Sequence, residues 1–235
     1  MKRAVVVMSG GIDSTVSACV AKNEGFELYA ITFQYGQRHS LEVEFAREQA
    51  KALGVKRHLL FPLDLGRIGG SSLTDRSISI PKMRSPDEIP SSGIPSTYVP
   101  SRNIIFLSIS ASYAEVVGAS DIFIGVNVID YSGYPDCRPE FIEAFEKAIN
   151  LGTKRGVEGG GFRIRTPLID MGKADIIRLG LKLGVDFSLT WSCYDPSGKL
   201  PCGRCDSCIL RKKAFEEVGI PDPLLEKVDK EDVRG

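Results

Sequence analysis

The sequence predicts an α/β protein, a doubly wound parallel sheet with helices on both faces and a small four-cysteine subdomain towards the C-terminus. Apolar runs rich in β-formers alternate with helical patterns through most of the chain. The first such run passes straight into a helix through a double glycine, and four cysteines cluster late in the sequence. At 235 residues and 43% hydrophobic, the chain has enough apolar mass for one good core plus an appendage. The expected division is 1–187 for the sheet domain and 188–235 for the cysteine subdomain packed on it.

Residues 3–8, Arg-Ala-Val-Val-Val-Met, read as the first strand, followed by a helix over 13–23. The β-rich stretch 27–34 gives the second strand. A helix over 40–53 places Leu41, Phe45, Ala46, Ala50 and Leu53 on one side and ends before Gly54. Residues 57–61 supply the third strand. A helix over 103–117 stops at Gly118 and leads into a strand over 121–127. Pro139 opens a helix to residue 150, in the favoured first-turn position. A strand over 162–165, a helix entered near Lys173 and a last amphipathic helix over 206–218 complete the pattern. Two stretches break it. Residues 66–101, rich in Ser, Pro and Gly, are too long for a connector and read as a mobile lid or a substrate loop. Residues 156–161 read as flexible.

Lys plus Arg and Asp plus Glu both number 30, so no broad basic field argues for nucleic acid. Apolar runs are too short and interrupted for a membrane span. The apolar start resembles a signal peptide, but Gly-Gly-Ile-Asp-Ser interrupts it too early, and the expected location is cytoplasmic.

The turn at 9–15, Ser-Gly-Gly-Ile-Asp-Ser-Thr, makes an anion cradle. Gly10 and Gly11 lack Cβ and let backbone amides approach a ligand closely. The helix behind them aims unpaired donors and its positive end at the same spot. Ser9, Ser14 and Thr15 add hydroxyls, and Asp13 is placed to pin the loop or approach a bound Mg²⁺. The Walker pattern would need a Lys where Asp13 stands, and G-x-G-x-x-G is absent. The segment resembles the PP-loop, S-G-G-x-D-S, of the ATP pyrophosphatases, whose fold is adenine nucleotide alpha hydrolase-like. That family cleaves ATP between the α and β phosphates and adenylates a substrate. The resemblance implies ATP, with its Mg²⁺, on Met8, Ser9, Gly10, Gly11, Ile12, Asp13, Ser14, Thr15, Val16, Ser17 and Ala18.

Of six cysteines, Cys19 reads as packing and Cys137 lies in a loop. Cys193, Cys202, Cys205 and Cys208 follow C-x8-C-x2-C-x2-C spacing. In a reducing compartment this points to metal rather than disulfides, and four thiolates suit one structural Zn²⁺. The iron–sulfur alternative would continue x3-C-P, whereas Ile-Leu-Arg-Lys-Lys follows at 209–213.

Together with the loop and these cysteines, Phe-Gln-Tyr-Gly-Gln-Arg-His at 33–39, Tyr-Val-Pro-Ser-Arg-Asn at 98–103 and the long segment 125–139 resemble the QueC family of 7-cyano-7-deazaguanine synthases. The likeness covers nearly the whole chain. It implies a ligase in queuosine precursor biosynthesis, likened to the EC 6.3.4 type. The implied reaction turns 7-carboxy-7-deazaguanine, ammonia and ATP into the nitrile through an acyl-adenylate and an amide. A homodimer is also implied, with no direct nucleic-acid or membrane partner. Asp13, Ser14, Arg102 and Lys173 are assigned to catalysis. Arg102 would stabilise charge on the α-phosphate or acyl group, and Lys173 would contact phosphate. A surface Arg, and ordinary helix entry for Lys173, are the plainer alternatives. Arg38, His39, Asn103, Asp130, Tyr131, Asp136 and Arg138 are assigned to the deazapurine acid, with Tyr131 and Tyr134 stacking on its ring. As loop residues several of these could equally be turn formers, and Asn103 a helix cap. His58, within a strand, reads as packing. Three rivals stand beside this reading: a tRNA-thiolating PP-loop enzyme with a persulfide on Cys137, a zinc-ribbon binding module on an inactive nucleotide fold, and a ligase that stops at the amide.

Overall fold

The computed structural model describes residues 1–85, 88–89, 93–129 and 133–232. Its strands are β1 Arg3–Val7, β2 Glu27–Gln34, β3 Arg57–Pro62, β4 Asp121–Ile124 and β5 Arg163–Arg165. All pair in parallel, in the order β3-β2-β1-β4-β5. The helices are α1 Ile12–Asn23, α2 Leu41–Leu53, α3 Arg102–Val117, α4 Pro139–Gly152, α5 Lys154–Val157, α6 Lys173–Lys182, α7 Asp206–Val218 and α8 Pro223–Asp232. From β1 the chain winds outward through β2 to β3, then crosses back to β4 on β1's other side. The winding therefore reverses between β1 and β4, and a crevice opens at their carboxyl ends.

Strand alternation decides which helices cover which face. Val5, Val7, Ile31, Phe33, Ile122 and Ile124 pack with α3 and α4, with Phe33 stacked on Phe106 at 4.0 Å. Ala4, Val6, Met8, Leu28, Ala30 and Phe123 point the other way, onto α1 and α2. Both faces are buried, so the strands read as continuous apolar runs.

A third cluster joins Ile12 and Val16 of α1 to Ile176 and Ile177 of α6 and to Ala214 and Phe215 of α7. The division expected at 187/188 falls inside it: Phe187 meets Phe215 edge to face at 5.7 Å. Arg211 of α7 sits in the same region, buried, in a two-pronged ion pair with Asp222 at 2.6 and 2.8 Å. Its remaining donors go to Thr190, Ser192 and the Phe187 carbonyl.

The structure departs from the sequence reading at a few ends. β4 stops at Ile124 rather than 127, because its partner β1 turns into the glycine loop after Val7 and leaves nothing to pair with. Residues 156–161 are held rather than left free: α5 runs into them and the Arg155 guanidinium donates to the Gly161 carbonyl at 2.7 Å. The Asn150 side chain brackets Phe162, accepting from its amide (2.6 Å) and donating to its carbonyl (3.0 Å). The helix α8 follows α7 and was not read from the sequence. Among the described residues no helix is long and apolar enough to cross a membrane.

Replacing one member of a buried ion pair strands the other's charge. R211A is expected to lower unfolding free energy by about 3–5 kcal/mol, measured by urea denaturation.

Candidate active site

The loop between β1 and α1 is a folded object before any ligand arrives. The Thr15 hydroxyl donates to the Gly11 carbonyl at 2.7 Å, and the Ser14 hydroxyl donates to the same oxygen at 3.1 Å. Ser14 Oγ in turn accepts from the Ser9 amide (3.2 Å) and hydroxyl (3.0 Å). Gly10 takes φ +90°, and a Cβ there would drive into the Glu42 carbonyl. The Gly10 carbonyl accepts from the Trp191 amide at 2.8 Å and the Gln49 side chain at 3.1 Å. Gly11 is extended, at φ −87°, and opens α1 with no side-chain cap, leaving the helix donors uncovered. On the β4 side Gly125 makes room: a Cβ there would lie 2.5 Å from the Asp13 carbonyl carbon.

The cleft above this loop is lined by Met8, Ser9, Gly11, Ile12, Asp13 and Ser14 on one side. Lys173, the first residue of α6, reaches into it and places its ammonium 2.6 Å from both oxygens of Asp13. Asn127 donates to the same carboxylate at 3.1 Å. Asp13 thus holds a lysine at the mouth of an anion cradle.

Across the cleft stand Arg102 and Asn103, the first residues of α3, with Tyr35, Glu42, Tyr134 and Cys137. Burial works against the charge on Arg102, yet Tyr35, Tyr134, Cys137 and Asp136 around it raise its pKa above the ordinary guanidinium value. Burial pushes the Tyr35 phenol up to about 12, so it stays neutral. Burial also lifts the Glu42 carboxyl to about 7, against the pull of Arg102. Cys137 is 5% exposed and its thiol is pushed up to about 12, first by burial and then by Asp136. It accepts a contact from Asn103 Nδ2 at 3.3 Å and sits as a thiol, not an activated thiolate.

Other sequence-assigned residues have different partners. Gly10, Val16, Ser17 and Ala18 are buried behind the loop and do not line the cleft, and Thr15 faces a separate hollow between α1, α2 and 183–189. Asp136 caps α3, accepting from the Asn103 amide at 2.9 Å, while Asn103 Nδ2 donates back to the Asp136 carbonyl at 3.2 Å. Arg138 is exposed at the start of α4. The Arg38 guanidinium donates to the carbonyls of Ser72, Asp75 and Ile78, stapling the 66–101 segment, whose Leu73 joins the cleft wall. His39 Nε2 donates to the Cys193 carbonyl at 2.8 Å, and burial lowers its pKa. Thr32 binds the other histidine, His58, at 2.8 Å. Asp130 and Tyr131 lie outside the described residues. Tyr35 and Glu42 were not assigned from the sequence. Their nearness to Arg102 joins the end of β2 and the start of α2 to α3, about sixty residues away, and no local pattern carries it.

The four terminal cysteines converge, their sulfurs all within 4.8 Å of one another. Backbone amides point at three of these sulfurs, Cys202 N to Cys193 at 3.1 Å and Cys205 N to Cys202 at 3.3 Å among them. Four soft donors at this spacing fit a tetrahedral divalent ion. The 66–101 segment crosses the cage: Lys82 bridges to Cys205, the Met83 amide donates to the Arg204 carbonyl, and Arg84 pairs with Asp206.

A family model described as "Queuosine biosynthesis protein QueC" matches residues 3–219. The chain belongs to the QueC family. Within the family it is similar to the 7-cyano-7-deazaguanine synthases of Myxococcus xanthus (58% identical, covering 95% of this chain and 96% of that protein) and Pelobacter propionicus (60%, 95% and 97%). Relatives named as synthases at this identity make the chain an enzyme of that class. In fold it resembles a 4-thiouridine synthetase solved with RNA and bound ATP, at TM-score 0.52, 20% identity, 96% of this chain and 52% of that one.

Gly10 gives the family's loop its shape. G10A is expected to cost at least about 2 kcal/mol in urea denaturation, from left-handed strain and the clash with Glu42. The same variant should lose ATP binding by calorimetry.

Proposed function

We propose that this chain makes 7-cyano-7-deazaguanine from 7-carboxy-7-deazaguanine, ammonia and ATP, as a carbon–nitrogen ligase. What carries the reading is near-full-length identity of 58–60% with relatives of that name, on a chain whose cleft joins a glycine loop at a helix start to Lys173 and Arg102. The carboxylate of the substrate attacks the α-phosphorus and pyrophosphate leaves. Amides of residues 12–14, at the uncapped α1 terminus, hold the departing pyrophosphate, and Lys173, oriented by Asp13, meets its charge. Arg102 faces the other end, where negative charge develops on the acyl group. Ammonia then displaces AMP to give the amide, and a second activation, at the amide oxygen, leads to the nitrile. Positioning supplies much of the rate, since no protein nucleophile is needed.

Mg²⁺ bound with ATP would neutralise phosphate charge. Asp13 is the loop's own carboxylate for it, already shared with Lys173. Cys193, Cys202, Cys205 and Cys208 would hold a Zn²⁺ that contributes folding energy rather than chemistry.

Incubating the protein with ATP, Mg²⁺, ammonia and the deazapurine acid should yield AMP and the nitrile by mass spectrometry. ADP, or an amide that never converts, overturns the reading. K173M should lower acid-dependent pyrophosphate release about 100-fold or more. Elemental analysis should find one zinc per chain, and a strong chelator should lower the melting temperature; full stability without metal removes the zinc assignment.

A further inference from the structure

The proposed reaction must remove protons from nitrogen three times, and phosphate-binding residues cannot do that. When ammonia attacks the acyl-adenylate, its nitrogen bonds the carbonyl carbon, the bond from carbon to the AMP oxygen breaks, and one N–H proton must leave. In the second half the amide oxygen bonds the α-phosphorus of another ATP and pyrophosphate departs. The resulting O-adenylated amide then loses two N–H protons as its bond to AMP breaks and the carbon–nitrogen triple bond forms. Each of these protons needs an acceptor in the cleft.

Among the described residues of the wall, the candidates can be eliminated in turn. Lys173 and Arg211 are cations held in ion pairs. Arg102 is a guanidinium. The Tyr35 phenol and Cys137 thiol are protonated, since burial lifts both to about 12. Burial raises the Tyr134 phenol too, and Tyr134 and Tyr194 are hydrogen-bonded to each other. Asp13 has both oxygens on the Lys173 ammonium and a third contact from Asn127. Glu42 differs from all of them. It stands half-buried in the first turn of α2, its main chain against Gly10 of the loop and its side chain in the cleft wall beside Arg102 and Tyr35. Its carboxyl makes no hydrogen bond or ion pair with any described residue. A carboxylate placed between the phosphate cradle and the acyl-binding arginine, with its lone pairs uncommitted, is equipped to receive a proton.

We propose that Glu42 is the proton acceptor for the nitrogen chemistry, taking one proton from the attacking ammonia and then those of the adenylated amide, and returning each to water between steps. This rests on the proposed reaction and adds a residue to it. Arg102 of α3 is the charged group that faces Glu42, and the neutral Tyr35 phenol stands beside it. Burial lifts the carboxyl to about 7, which matches its basicity to neutral pH. The base must be ionised, so the rate at fixed free ammonia should rise with pH through about 7 and level off above it.

The test compares wild type with E42Q and E42D. In E42Q, single-turnover amide formation from preformed acyl-adenylate should fall about 100-fold or more. The acid limb near pH 7 should vanish, and the rate should become second order in free ammonia, as a second ammonia takes over the base's part. E42D, which keeps a carboxylate one methylene shorter, should retain the acid limb. Wild-type amide and nitrile rates in E42Q, or an equal fall in pyrophosphate release and amide formation with no change in ammonia order, overturn the assignment of Glu42. No nitrile from wild type would instead overturn the proposed reaction itself.

Discussion

One peptide unit, that of Gly10, joins three parts of the molecule. Its positive φ turns the chain out of β1, its carbonyl accepts from Trp191 beside the cysteine cage, and its bare α-carbon lies against the first turn of α2. Each contact needs the others. The Trp191 amide reaches that carbonyl because the peptide has rotated, and α2 comes close because no Cβ intervenes. The loop, the helix carrying Glu42 and the residues around Trp191 therefore meet at a single residue without a side chain.

The cysteine cage belongs to this arrangement. Trp191 donates through its indole to the Cys193 carbonyl at 2.9 Å, and His39 donates to the same oxygen. Arg38, the neighbour of His39, holds the segment that then crosses the cage at Met83. Residues assigned to substrate from the sequence thus brace the wall of the cleft from behind. The cysteine cage and the wall of the cleft are linked through ordinary hydrogen bonds.

The fold was legible where its cause is local. β2 has its predicted bounds, and α2 and α3 end at the glycines expected to stop them, Gly54 and Gly118, both left-handed. The loop, its hydroxyls and the cysteine spacing carry their chemistry in adjacent residues. What stayed hidden depends on distant partners. Nothing near Asp136 says that it will cap a helix thirty-three residues earlier. Nothing near Arg38 names the three carbonyls it will hold. Glu42 reads as an ordinary first-turn acid of an amphipathic helix until α3 is laid beside it. Such residues are polar, sit in turns or at helix starts, and look functional or structural with equal ease.

Two long helices begin at this cleft, and their ends are treated differently. The start of α3 already has a carboxylate, Asp136, accepting from one of its backbone donors, whereas α1 starts at a glycine with no side-chain cap. An incoming anion consequently meets one helix start with no side-chain cap and one already capped by a carboxylate. The crevice has a polarity of its own, because its two helix starts offer different surroundings to a negative charge.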